Sequence, residues 1–547
     1  MHTSRPQHEQ PDIPADVLAR RWTILGLLCL NLVIVIIGNT SLNVAIPRLS
    51  EDLGASNTAL QWMVDAYSLV FAGMLLTAGS LGDRFGRKGA LQLGLAIFGV
   101  ASLAAAMSQS SGQVIAARAV MGLGGAFVMP STLSMISNVF PEGERAKAIA
   151  IWAGVAGAGG AIGPLASGFL LGHFWWGSTF LVNIPIIAAA ILIGHFILPK
   201  SSDPTDAPLD LVGALLSILG MSALVYAIIE APEHGWLSPE SFLTFGIAVV
   251  LLTVFALWER SLDQPMLNLS FFADRRFSVS SGGIMLLFFS LFGTIFLATQ
   301  YLQLIAGYSP LEAGVRLLPQ SIVMVALAPQ APKAVNRFGA NVVAGAGLFV
   351  IAASLALLAV WGAGTSYAFI LGSLIVMAAG MAFTMAPLTA ELMSSIPPAK
   401  AGVGSAMNDT TRELGGALGV ALFGSIVAGQ YASGIADRLA SFPADIRAVA
   451  GTSLSTAMSL AQSPGQVGTA SGRAIQSAAE SSFLDGFHLA SVLGAVSLAV
   501  AGVLVIRLLP SSRFDPLVAE GAGVGSGDEP DLPGVEGDDL ERAANPG

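Results

Sequence analysis

Charge is what this chain lacks most. Only 11% of its 547 residues are Asp, Glu, Lys or Arg, against about a quarter in an average soluble domain. With 54% of the chain hydrophobic, a soluble fold has too little polar surface to hide so much apolar area. Cysteine occurs once, at Cys29, so no disulfide forms within the chain, and the residue reads as a small buried hydrophobe. The six His are scattered. No metal cluster, nucleophile–base pair or phosphate loop stands out, so neither an enzyme nor a bound cofactor is expected. The short alternating segments of a porin-like barrel are missing. The net charge of −10 misleads, because the tail after Pro510 holds nine acids and two bases. The rest of the chain is close to neutral, which leaves nucleic-acid binding without support.

Apolar runs near 20 residues are abundant, and about 20 helical residues cross the hydrocarbon core of a bilayer. The 62 glycines suit close helix contact in lipid. Run lengths suggest fourteen spans, near 22–45, 60–81, 89–108, 113–139, 147–172, 179–198, 210–231, 240–259, 277–304, 310–334, 340–361, 366–388, 401–429 and 484–509. The first run is too long for a signal-peptide core and lacks a cleavage site. Loops carrying Arg84, Arg87, Lys88, Arg145, Lys147, Lys200, Arg260, Arg275, Arg276, Lys333, Arg337 and Lys400 would face the cytoplasm, with both termini. Residues 431–483 read as an outer Ser/Ala/Gly-rich cap or linker with a short helix in 444–460. The segments 1–21 and 511–547 read as disordered.

Two sequence matches suggest a duplication. Gly79-Ser80-Leu81-Gly82-Asp83-Arg84-Phe85-Gly86-Arg87-Lys88 is echoed by Asn336-Arg337-Phe338-Gly339, with Asp83 and Asn336 253 positions apart. Gly159-Gly160-Ala161-Ile162-Gly163 matches Gly415-Gly416-Ala417-Leu418-Gly419 at an offset of 256. The expected organisation is an all-α integral membrane protein. One six-helix bundle would occupy 22–198 and a second 261–510, with two inserted helices in 199–260.

Ionisable residues inside spans are costly and point to function. Asp65 lies in span two, with Trp62 three residues earlier on the same helical face; a carboxylate beside an aromatic ring suits a cation. A hydrated acid at the outer mouth is the plainer alternative. Arg118 lies in span four, either functional or a static partner for a buried carboxylate. Asp409, Arg412 and Glu413 share one side of span thirteen. Two acids and one base leave one carboxylate free to take a proton, unless all three pair structurally. In the charged loop, Gly82 and Gly86 permit a tight turn, and Asp83 can accept from a helix N-terminus or an Arg. Arg84 and Arg87 also serve as inside anchors. Gly159, Gly163 and Gly168 line one face of span five, and Pro164 allows a bend.

The 79–88 loop resembles the loop between the second and third helices of the major facilitator superfamily. Arg118-Ala119-Val120-Met121-Gly122 looks like that superfamily's proton-linked motif. Gly159 to Gly168 looks like the antiporter motif of its exporting branches. Gly307 to Gly314 and Gly402 to Gly419 resemble the fourteen-span drug:proton antiporters, and Val64-Asp65-Ala66-Tyr67-Ser68-Leu69 is similar to the quaternary-ammonium exporters. The resemblance spans roughly residues 20–510. It departs at Gly38, where the family carries an Asp two residues before Thr40, and in span ten, which holds no acid.

The resemblance implies a monomeric, proton-driven exporter of amphipathic, cationic compounds in a bacterial plasma membrane, working by alternating access without a cofactor. Its partners would be lipid, protons and small molecules. Proton coupling would fall to Asp65, Arg118, Asp409, Arg412 and Glu413. Gating would fall to Gly82, Asp83, Arg84, Gly86, Arg87, Gly159, Gly163, Pro164 and Gly168. Substrate contact would fall to Asn39, Asn43, Trp62, Asp65, Gln300, Tyr301, Gln303 and Asp409, with Phe292 as further apolar wall. An exporter of one endogenous product and a non-transporting sensor or scaffold are the alternatives.

Overall fold

The computed structural model describes residues 13–53, 57–201, 210–463 and 465–512, without the side chains at 39, 43–44, 46–47, 50–51, 57–58, 61, 157–161, 164, 233 and 310. Among these residues the chain is all-α. In chain order the helices are α1 Ala15–Ala19, α2 Arg21–Thr40, α3 Leu42–Leu53, α4 Asn57–Phe85, α5 Arg87–Ala106, α6 Ser111–Val139, α7 Glu142–His173, α8 Ser178–Leu181, α9 Asn183–Ile197, α10 Leu211–His234 and α11 Pro239–Ser261. Then follow α12 Arg275–Gln300, α13 Pro310–Leu327, α14 Ala331–Phe338, α15 Ala340–Leu358, α16 Tyr367–Ser394, α17 Ala401–Arg438, α18 Ala444–Thr452, α19 Leu454–Ala461 and α20 Ala470–Leu508.

Thirteen candidate spans among the described residues are long and apolar enough to cross a membrane. The expected span 147–172 corresponds to α7, a helix of 32 residues that includes undescribed side chains. Local chemistry sets many helix starts. Ser110, Ser238, Asp274 and Thr469 accept from backbone N–H groups of the first turn. Ser309 and Glu312 form a reciprocal capping box. Large apolar side chains such as Phe242, Val249, Val250 and Leu257 stay exposed along α11, as a lipid-facing helix requires.

Packing repeats between the halves. In the first, α4 and α5 lie along α6, α2 along α7, and α9 along α5. In the second, α13 and α15 lie along α16, α12 along α17, and α20 along α15. The halves meet where α7 packs on α13 and α4 on α17, a pair exchanged by the same correspondence. Helices α10 and α11 form an inserted hairpin whose first member packs on α4 and α17.

Two further signs of duplication are backbone features. Gly86 and Gly339 precede α5 and α15 at φ 107° and 88°, a region that favours glycine. The chain leaves α9 as Leu198-Pro199-Lys200-Ser201 and α20 as Leu509-Pro510-Ser511-Ser512. Ser201 O accepts from Arg87 N at 2.9 Å, and Ser512 O from Ala340 N at 3.0 Å. Each half thus ties its last exit to the start of its third span.

Several expected boundaries move. The first span breaks at Ser41 into α2 and α3. The tenth is split into α13 and α14 by a tight turn at Ala328–Gln330, where Pro329 and Pro332 supply no backbone donor. Helices α17 and α20 run well beyond the expected ends. Tyr431, Ile435 and Leu439 and, from α20, Ile475, Ala479 and Phe483 are buried at helical spacing, so the segment 431–483, as far as it is described, is helical extension plus α18 and α19, not a plain linker. Tyr431 Oη donates to Ala450 O at 2.8 Å and Arg438 pairs with Asp485 at 2.7 Å. Of the expected disordered ends, residues 13–21 form α1 and the start of α2, with Val17 buried; 513–547 lie outside the described residues.

Candidate functional site

The charged loop closes one end of the interface between the halves. Gly79 on α4 and Gly402 on α17 approach backbone to backbone, and a Cβ on either would collide with the other's carbonyl. That approach delivers Asp83, 3% exposed, to the first turn of α17. Its carboxylate accepts from Gly402 N at 2.8 Å and Val403 N at 3.1 Å, two N–H groups the helix leaves free. Arg87 is equally buried. It pairs with Asp83 at 2.7 Å and donates to Pro398 O, Ala399 O and Ser201 Oγ at 2.9, 3.0 and 3.0 Å. One guanidinium therefore joins the first half, the chain leading to the insert, and the second half. Lys88 Nζ donates to His195 O and Leu198 O, while the Arg84 guanidinium lies 5.3 Å from the Phe85 ring centroid. Gly82 packs against Ala90, and Gly86 makes the turn.

A second group of polar side chains lies deeper. Arg118 has no exposed surface. Its Nε donates to Met63 O at 2.9 Å and its Nη1 to Gly38 O at 2.8 Å, and its guanidinium lies 4.5 Å from the Tyr67 ring centroid. Gly38, where the resemblance led to an acid, thus offers a carbonyl to Arg118 and is pressed by Phe98 and Met121. Asp65, half-buried, lies within electrostatic range of Arg118. Gly122 and Gly125 admit α4 closely: a Cβ on the first would strike Tyr67 O, and on the second the Tyr67 hydroxyl.

Across the interface, α17 carries Asp409, 1% exposed. Its Oδ1 accepts from Arg412 Nη1 at 3.2 Å and Asn408 Nδ2 at 3.3 Å, while Oδ2 has no hydrogen-bond partner among the described residues. Arg412 lies 5.4 Å from the ring of Trp152 on α7 and 4.6 Å from that of Phe288 on α12. Glu413, half-buried on the next position, lies in electrostatic range of both Arg412 and Tyr67. Polar groups therefore run from Gly38 and Arg118 through Tyr67 to Glu413, Arg412 and Asp409, crossing from one half to the other.

Other expected residues scatter. Trp62 stacks on Tyr226 of α10, ring centroids 6.2 Å apart, so its ring meets the insert. Gln300 and Gln303 are half-buried at the end of α12 and in the π-helical turn that follows. Tyr301 does not present a free hydroxyl: it is fully buried, donates to Gly362 O at 2.7 Å, and packs with Trp361 and Phe487. Phe292 is 39% exposed and rests against Gly416. Gly163 meets Thr40, Gly168 meets Leu311, and Ser167 Oγ donates to Ser41 O; this face of α7 packs on both halves. The side chains of Asn39, Asn43 and Pro164, with Gly159, lie outside the described residues. Tyr67, Trp152, Asn408 and Gly402 were not singled out from the sequence. Tyr67, Gly402 and Asn408 lie within stretches that resemble known exporters, 64–69 and 402–419, while Trp152 carried no hint of its own.

The chain matches the family model described as Major Facilitator Superfamily over residues 28–420. It is 36% identical to the multidrug efflux pump LfrA of Mycolicibacterium smegmatis, across 76% of this chain and 82% of that protein. It is 35% identical to the methyl viologen resistance protein SmvA of Salmonella typhimurium, across 85% and 93%. It is 33% identical to the tetracenomycin C resistance and export protein of Streptomyces glaucescens, across 95% and 100%. Among solved structures, the proton:xylose symporter XylE aligns with a TM-score of 0.56 at 13% identity, across 92% of this chain and 99% of that one, a likeness of fold alone.

Proposed function

The chain belongs to the Major Facilitator Superfamily, and from that premise we propose that it is a proton-coupled antiporter exporting amphipathic, cationic compounds by alternating access. It would work as a monomer in a bacterial plasma membrane, with both termini cytoplasmic. The observation that carries the reading is the buried polar chain across the interface, from Arg118 and Tyr67 to Glu413, Arg412 and Asp409. Buried charge in lipid is costly to retain unless it is paired or used.

In this reading the bundles are 22–198 and 261–510, with 199–260 inserted. While Asp83 and Arg87 hold the loop end shut, the interior opens to the outside. A proton from outside neutralises a carboxylate of the Asp65, Asp409 and Glu413 set, and the cation that this negative charge held leaves. Arg118 is fixed by two carbonyls and cannot follow. It therefore sets a constant positive field on the Tyr67 ring, whose other neighbour, Glu413, changes charge. Arg412, between Trp152 and Phe288, links that change to α7 and α12. Opening the loop end then releases the proton inside and restores the negative site. Trp62, Gln300, Gln303 and Phe292 would add contact to the substrate.

The relatives named for multidrug efflux and methyl viologen resistance support export of cations. The tetracenomycin relative, aligned along nearly all of both chains, favours a second reading, dedicated export of one endogenous product. Proteoliposomes under an imposed pH gradient separate the two. Gradient-driven movement of methyl viologen and of unrelated cationic dyes, lost in an Asp65→Asn, Asp409→Asn double variant, supports the first. Movement of a single neutral polycyclic compound and of no cation supports the second. Undiminished cation flux in the double variant rejects the assigned proton sites.

A further inference from the structure

The inserted hairpin carries a pair of carboxyl groups that the transport reading leaves unused. Asp210 caps α10, its Oδ1 accepting from Gly213 N at 2.8 Å and from Trp258 Nε1 at 2.9 Å. Glu259, near the end of α11, is 2% exposed, and its Oε2 accepts from Leu267 N at 3.1 Å. The remaining oxygens, Asp210 Oδ2 and Glu259 Oε1, are both buried with no hydrogen-bond donor among the described residues. Both lie over Gly213, where a single Cβ would strike the two at once, so the two carboxyl oxygens sit side by side.

We propose that Asp210 and Glu259 form a proton-binding site, one proton shared between Oδ2 and Oε1. Two ionised carboxylates at such range repel. One proton turns either group into a donor to the other and satisfies both orphaned oxygens at once. A metal is poorly served, since no group of three His, Cys, Asp or Glu side chains gathers among the described residues. Among the other charged groups of the latch and insert, Arg87 and Asp83 hold each other and Lys400 donates to Pro265 O, while Arg84 is half-buried beside Phe85 with its Nη1 unpartnered among the described residues, and Lys200, Arg260 and Asp263 are exposed or partly so. The site sits behind a small apolar cluster of Phe255 on α11, Met266 and Leu267 in the chain just after it, Leu76 of α4, and Val403 and Ala406 of α17. Val403, which donates its backbone N–H to Asp83 at the latch, is thus packed on the hairpin as well. Losing the proton would push α10 from α11 beneath that cluster.

The test is infrared titration of the full chain in lipid nanodiscs, which needs no transport and so stands or falls apart from the export reading. Wild type should show a protonated-carboxyl band at neutral pH. Glu259→Gln and Asp210→Asn should each lose one component of it, and Asp409→Asn should retain that component. Thermal midpoints should fall in wild type as pH rises and stay flat in Glu259→Gln, whose amide donates permanently. Superimposable spectra of wild type and both hairpin variants would overturn the proposal. So would loss of the band on adding Na⁺ or Mg²⁺ at constant pH, which would make the ligand a metal cation. If Glu259→Gln does not fold, Asp210→Asn alone decides between these outcomes.

Discussion

Replacing Asp83 by Asn should unlatch the loop end. The carboxylate accepts from Gly402 N, Val403 N and the Arg87 guanidinium, the last at 2.7 Å. Hydrogen bonds to charged groups contribute about 1.5–3 kcal/mol each. Asn keeps one acceptor oxygen but turns an NH₂ toward donors, and it leaves Arg87, 1% exposed, without its counter-charge. A net loss of about 3 kcal/mol shifts the balance between closed and open latch roughly 150-fold, at 1.4 kcal/mol per factor of ten. The assay is maleimide labelling of a Val403→Cys reporter in a Cys29→Ser background, since Val403 is 2% exposed behind the latch. Labelling should accelerate at least tenfold with Asp83→Asn, and Arg87→Ala should act in the same direction. Equal labelling rates with and without Asp83→Asn, in protein with an unchanged melting midpoint, would refute the reasoning.

Gly402→Ala should raise the same labelling rate about tenfold or more, because the new Cβ meets both Asp83 and the Gly79 carbonyl. Gly125→Ala should displace the Tyr67 hydroxyl and lower gradient-driven flux at least tenfold, with a smaller loss in Tyr67→Phe, as proteoliposome assays would read. Arg118→Lys keeps the charge but cannot span Met63 O and Gly38 O together; flux should fall at least tenfold with little change in substrate binding by equilibrium dialysis. Gly339→Ala should destabilise the fold by about 1–3 kcal/mol, the usual strain of a side chain at such a φ, seen as a lower midpoint in a thermal melt.

Several features of the site were legible along the chain because each is local. Asp83 and Arg87 are four apart on one turn, and Asp409, Arg412 and Glu413 fall on one helical side by spacing alone. The duplication could be seen in two short matches. The extensions of α17 and α20 could not, since Ser, Ala and Gly look like loop until Tyr431, Ile435, Ile475 and Phe483 are buried in one core. The surroundings of Tyr301 were hidden for a related reason. An aromatic at the end of a span resembles a binding wall, but Trp361 and Phe487 come from distant positions to enclose it.

Membrane character and the twofold plan were thus determined by sequence alone: lipid demands long apolar helices, and a repeated pattern of turns marks a repeated bundle. Partners were decided only in three dimensions. Which carbonyls hold Arg118, which helix Asp83 caps, which rings flank Arg412 and that Asp210 meets Glu259 all depend on segments tens to hundreds of residues apart. Periodicity tells which face of a helix is buried, but packing alone tells what it is buried against.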